Sequence, residues 1–165
     1  MKKKKISTGA VWILLTLIWM CAIWYFSAKP ADQSTEMSHE TGKVIASIIH
    51  RDFNRWEPEK QAGYVMNIDH MVRKGAHFAE YTLLGILMSA SFWFNGRRGP
   101  RFWLLAWGIG ACYAVSDELH QYFVPGRSCQ ISDMILDSAG VLFGVLCMFF
   151  AYRAFSRLYS GKRPG

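Results

Sequence analysis

The run Ser116-Asp117-Glu118-Leu119-His120-Gln121-Tyr122-Phe123-Val124-Pro125-Gly126-Arg127, followed by Asp133 and Asp137, decides how this chain is read. It lies between two apolar blocks, each long enough to cross a bilayer. Carboxylates, an imidazole and a guanidinium therefore stand where hydrocarbon would otherwise be. Ionisable groups are costly there and mark a site more often than they decorate one.

Working outward, the flanking blocks cover about 102–121 and 131–152, and two more cover about 8–26 and 76–94. At about 1.5 Å per residue each block reaches across a hydrocarbon core of roughly 30 Å. The expected fold is all-α: one membrane domain over 1–165, with four transmembrane helices and an amphipathic interfacial helix between the first and second. That helix is expected where Met37, Val44, Ile45, Ile48 and Ile49 recur at helical spacing opposite Glu40, Lys43, Ser47, His50 and Arg51. A second short helix is expected to start at Pro58 and to carry Tyr64, Val65, Ile68, Met71 and Val72. Phe26, where a cleavage site wants a small side chain, makes the first block an uncleaved span.

Just over half of the 165 residues are hydrophobic (52%), and they are gathered in blocks, as in a small polytopic membrane protein. The net charge of +7 sits mainly at block ends, so it reads as topological anchoring and argues against nucleic-acid binding. Lys2 to Lys5, the loop bearing Arg97, Arg98 and Arg101, and the tail with Arg153, Arg157, Lys162 and Arg163 fall on one side. By the positive-inside rule that side is cytoplasmic, with both termini, and the 122–130 loop faces outward. Trp12, Trp24, Trp93 and Trp103 read as interface anchors, and Val124-Pro125-Gly126 as a turn. His39, His50 and His70 read as exposed. Cys21, Cys112 and Cys147 lie in apolar blocks and Cys129 in a polar loop, which implies no disulfide framework; the common zinc signatures are missing.

Glu80, Asp117 and Asp137 stand sixteen or seventeen positions from Arg97, Arg101 and Arg153, the basic residues that close their spans. That places all three about 24 to 26 Å from the inner boundary, just below the outer interface. His77, Gln121 and Asp133 form a second layer one turn further out, with Arg73, Lys74 and Arg127 above. Three spans thus bring ionisable groups to matching depths, which predicts one shared site in the outer leaflet. The candidate catalytic residues are His77, Glu80, Asp117, Glu118, His120, Gln121, Asp133 and Asp137. Arg73, Lys74, Tyr81, Ser116 and Arg127 are the candidate substrate-binding residues. Small residues at every fourth position, Gly108-Cys112-Ser116 on the third span and Gly140-Gly144 on the fourth, are expected to meet the stripe His77-Tyr81-Gly85-Ser89 on the second.

The block Arg73-Lys74-Gly75-Ala76-His77-Phe78-Ala79-Glu80-Tyr81, with Ser116-Asp117-Glu118-x-His120-Gln121-x-Phe123-Val124-Pro125-Gly126-Arg127 and the Asp133, Asp137, Gly140 series, resembles the VanZ-like family. The resemblance covers most of the chain and departs in neither block. It implies a bacterial plasma-membrane protein from a family associated with resistance to the glycopeptide teicoplanin, a drug that acts outside the membrane on lipid-linked cell-wall precursors. It supplies no agreed reaction.

Such a site could act on, or bind, a phosphate-bearing lipid headgroup, with Arg73, Lys74 and Arg127 on the anion and His77 as acid or base. It could instead recognise a lipid-linked precursor or the antibiotic without turnover, with the surface helix as a lid. Asp133 and Asp137 at i and i+4, completed by Asp117, could form an oxygen site for a divalent cation, although no spacing is diagnostic of one. Cofactor and oligomeric state are not legible. A transporter is disfavoured, because no inverted repeat is visible and the acidic groups avoid the midplane. A purely structural lock is disfavoured too, because helix-helix hydrogen bonds in membranes average only about 0.6 kcal/mol, whereas a buried charge costs about 2.5 kcal/mol or more.

Overall fold

A computed structural model describes residues 7–160, so Lys2 to Lys5, Lys162 and Arg163, on which the topology expectation partly rests, lie outside the described residues. The described residues form five α-helices and one short 3-10 turn: α1 (Thr8–Ser27), α2 (Ala31–Ile49), the turn Phe53–Arg55, α3 (Pro58–Phe94), α4 (Pro100–Gln121) and α5 (Ile131–Ser160).

Two of these helices are long and apolar enough to cross a membrane: α1, and α5 from Ile131 to Arg157. Their large side chains mostly face outward, with Leu14 57%, Ile18 56%, Ile135 65% and Phe150 63% exposed. A coat of that composition is matched by hydrocarbon rather than by water. Ser7 starts α1 by accepting the Ala10 amide at 3.2 Å, which satisfies one of the free N–H groups of the first turn.

The separate helix expected from Pro58 is instead the first half of α3, which runs unbroken for 37 residues. Pro58 occupies the first turn, where its missing N–H costs nothing, and no proline follows to interrupt the ladder. Arg73 and Lys74 lie within the helix, where both are good helix formers, and each has a carboxylate partner, Asp69 and Asp133, at 2.8 Å.

α2 folds back along this first half of α3 through a small-residue face, Ser38, Gly42 and Ala46, with Val65 and Ile68 seated against Gly42. Ala46, Phe53 and Val65 form a minor core there, flanked by Trp56 and Tyr64. The expected apolar face of α2 stays outside the packing, with Val44 59%, Ile48 74% and Ile49 62% exposed. His70 is exposed as expected, but His39 and His50 are half-buried: His39 lies 3.6 Å from Asp69, and His50 bonds the Tyr64 hydroxyl at 3.1 Å.

α3, α4 and α5 pack around Tyr81, Leu84, Met88, Ala106, Ala114, Val141 and Val145, with Ile23 of α1 closing the cluster. The α3–α5 seam is the tightest. A Cβ on Gly144 would collide with the Thr82 carbonyl oxygen, and one on Gly85 with the Val141 carbonyl oxygen, so only glycine allows this backbone approach. The fourth-span and second-span stripes therefore meet as expected. The third-span stripe does not: Gly108 has nothing near it, and Cys112 and Ser116 are exposed. α4 instead turns inward the face Ala106, Gly110, Ala114, Asp117, Glu118 and Gln121, which seats Gly110 against Val141 and brings Asp117 to hydrogen-bond partners on α1 and α3. Hydrogen bonds tie α1 to its neighbours, Thr16 to Ser91 at 2.9 Å and Tyr113 to the Met20 carbonyl at 2.6 Å.

Candidate functional site

At the end of the bundle away from Arg97, Arg98 and Arg101, five segments converge: the end of α1, the start of α2, the middle of α3, the end of α4 with its following loop, and the start of α5. Asp117 is at the centre and fully buried. One of its oxygens accepts from the Ser27 hydroxyl at 2.7 Å, the Tyr81 hydroxyl at 3.0 Å and the Gln121 amide at 3.4 Å. Its other oxygen has no hydrogen-bond partner. The carboxylate thus joins α1, α3 and α4 at one point.

Asp137 is equally buried but differs in kind, since neither of its oxygens has a hydrogen-bond partner. The nearest basic group is His77, whose Nδ1 lies 3.9 Å from Asp137 Oδ1 and is likewise unpartnered. Asp117, Glu118, Asp133 and Glu80 all stand within electrostatic reach of Asp137. Glu118 has a local task, accepting the Gln130 amide at 2.7 Å and so fixing the chain at the entry to α5.

Arg127 enters from the loop, where Gly126 holds a positive φ of 74°. A substituent on Gly126 would press on Ala31, whose amide donates to the Pro125 carbonyl at 3.2 Å. The loop and the start of α2 are therefore set together. Arg127 donates from Nε to the Lys29 carbonyl and from one terminal nitrogen to Gln121 Oε1, both at 3.0 Å. Among the described residues no carboxylate lies within ion-pair distance of it. Burial, and then the neighbouring Arg73 guanidinium, hold its pKa below the usual arginine value, with the site's carboxylates opposing. Two guanidiniums that disfavour one another would both gain from an anion.

Two cavities share Arg73, His77 and Arg127 as a common wall. The first, of about 230 Å³, is enclosed by Phe26, Lys29, Met37, Ser38, Val72 and Glu80 among others, and its surface is mostly apolar. The second, of about 130 Å³, is mostly polar and is bounded by Lys74, Gln121, Ser128, Gln130 and Asp133.

Of the expected site residues, Arg73, Lys74, His77, Glu80, Tyr81, Asp117, Glu118, Gln121, Arg127, Asp133 and Asp137 are brought to this end of the bundle. Ser116 is not, since it is exposed and its hydroxyl donates to the Tyr113 carbonyl at 2.7 Å. His120 stacks on Trp24, ring centroids 4.0 Å apart, and lines neither cavity. The oxygen site for a divalent cation is not assembled, because Asp133 is engaged by Lys74 at 2.8 Å. Among the described residues no group of three or more His, Cys, Asp or Glu is arranged to hold a metal.

Asp69 and Ser27 are additions that the sequence reading missed. Asp69 accepts from Arg73 at 2.8 Å and also from the Ser38 hydroxyl of α2, while Arg73 reaches Thr35 at 3.1 Å. The i, i+4 spacing of Asp69 and Arg73 was a usable signal. For Ser27 there was none, because its partner is 90 positions away.

A family model described as VanZ/LLP1 matches residues 12–152, a range that contains every residue of the site. No curated protein matches the chain, and no solved structure does.

Proposed function

The chain belongs to the VanZ/LLP1 family, linked to teicoplanin resistance, and on that footing we propose that it is a four-span membrane protein whose site takes a lipid-borne phosphate in the outer leaflet. The ligand is a lipid-linked cell-envelope precursor or a phospholipid headgroup. For the two further spans, support comes from Leu83 on α3 and Leu104, Ile109 and Leu119 on α4, which remain exposed while their helices pack between the two apolar ones. For the outward direction, support comes from Arg97, Arg98, Arg101, Arg153 and Arg157 at the opposite end, where the positive-inside rule wants them. With the N-terminus cytoplasmic, Arg127→Cys should react with an impermeant thiol reagent in intact cells and Arg98→Cys should not, in a chain freed of its own cysteines. The reverse pattern would turn the site inward and end the proposal.

One observation carries the anion reading. Arg127 has no carboxylate partner among the described residues and shares a wall with Arg73 and His77 between two cavities. Guanidinium groups bind phosphate oxygens in pairs of hydrogen bonds, so an unpaired one facing a cavity suits a phosphate. His77, which lines both cavities beside Arg127 with its Nδ1 3.9 Å from the Asp137 carboxyl, supplies acid–base chemistry there. In this reading Arg127→Ala weakens binding of a polyprenyl phosphate to the purified protein by more than about tenfold. His77→Ala loses any turnover and weakens binding less than Arg127→Ala does. Unchanged binding in Arg127→Ala would sink it.

A second, non-catalytic reading is favoured by α2. Its Ser38 and Thr35 bond Asp69 and Arg73 while Ser34, Met37, Ser38 and Thr41 line the first cavity, as a lid would that withholds a precursor or antibiotic from its target. Full function in His77→Ala alongside lost function in Arg127→Ala would select this reading.

A further inference from the structure

We infer that the ligand is a phosphodiester amphiphile: its phosphate at Arg73, His77 and Arg127, its chain leaving through the first cavity and a small hydroxylated head filling the second. This rests on the site being a phosphate-lipid site and says which phosphate lipid fits it. The geometry asks for substituents on both sides of the anion, because the same three residues wall both cavities. A terminal monoester would occupy one cavity and leave the other to water.

The charges point the same way. Arg73 is already matched by Asp69 and Lys74 by Asp133, each at 2.8 Å, while Lys29 is held over the rings of Tyr25 and Phe26. Arg127, which donates only to the Lys29 carbonyl and to Gln121 Oε1, therefore brings the single uncompensated charge to the shared wall. That balance suits the single charge of a diester better than the roughly −1.5 to −2 of a monoester near neutral pH.

The two cavities differ as the two substituents would. Phe26, Met37, Val72 and Ala76 give the first its apolar surface, and Phe26 and Met37 stand exposed at its rim, where a chain can pass into the bilayer. The second offers Ser128, Gln130 and Asp133 to hydroxyl groups. Its volume of about 130 Å³ is smaller than that of the first cavity and has room for a small polyol.

The test compares two single-chain probes on the full-length protein in non-ionic detergent: hexadecyl phosphoglycerol, a diester, and hexadecyl phosphate, a monoester. The diester should bind about tenfold more tightly or better. Ser128→Trp, an exposed loop position filling the second cavity, should remove that advantage and leave the monoester unchanged. Gln130→Ala should reduce it in part, as a milder check on folding. Thr41→Trp at the first cavity should weaken both probes. Equal affinities, or a tighter monoester, would overturn the inference while Arg127-dependent binding of either keeps the phosphate reading. If neither probe binds the wild type, both fail. A single-chain isoprenyl phosphodiester against a diacyl phosphatidylglycerol then separates the two sources; binding of either supports the diester class, and their order assigns the lipid.

Discussion

The glycine seam between α3 and α5 and the polar layer above it share those two helices, yet they obey opposite rules. In the seam every contact is fixed by steric necessity: Gly85, Gly140 and Gly144 let carbonyl and Cα atoms meet, and nothing there is left to bind anything else. One helical turn before Gly140, Asp137 is buried with both oxygens unpartnered, and half-buried His77 faces it at 3.9 Å with an unpartnered Nδ1. Within the layer the same contrast recurs between Asp117, which accepts three hydrogen bonds and ties helices together, and Asp137, which accepts none.

Four substitutions test that contrast, in order of falling effect. Gly144→Leu would force the α3 and α5 backbones apart, an overpacking cost of about 3 kcal/mol or more, so little folded protein should survive extraction and size-exclusion chromatography. A monodisperse mutant of normal yield would show that the seam is not tight. Asp117→Ala leaves Ser27, Tyr81 and Gln121 without their acceptor and should cost about 1 to 3 kcal/mol, read as a lower thermal midpoint in detergent. Asp137→Asn should do the reverse, raising stability by about 1 kcal/mol while activity or binding falls, since it removes from a cluster of carboxyls one that has no hydrogen-bond partner to lose. If Asp117→Ala and Asp137→Asn both destabilise equally, the distinction between a structural and a functional carboxylate collapses. Smallest, Asp69→Asn loosens a half-buried pair worth under about 1 kcal/mol. Its mark should be local, as faster hydrogen exchange in α2 than in α4, and uniform exchange would separate α2 from the site.

Most of the site was visible as spacing. His77, Glu80, Asp117, Gln121, Asp133 and Asp137 recur at set distances from the basic residues that close their helices, and a rise per residue that varies little turns those distances into depth. Depth, however, says nothing about azimuth. Ser116 sits next to Asp117 in the chain yet points away, because adjacent helical residues are separated by about 100° around the axis. The stripe Gly108-Cys112-Ser116 misled for the same reason: small residues at fourth positions permit close packing but do not demand it. The break expected between the helix from Pro58 and the apolar block after it failed on a different point: no proline follows Pro58 before Phe94, and Arg73 and Lys74 are themselves good helix formers.

Helix existence, the apolar blocks, the clustering of ionisable groups at one end of the helices and the family were properties of the chain read alone, because periodicity and hydropathy are local and additive. Which carboxylate is satisfied and which is left bare was decided by tertiary structure. That depends on partners such as Ser27, 90 positions from Asp117, being delivered to within 2.7 Å by helices whose rotation is set by a glycine seam elsewhere.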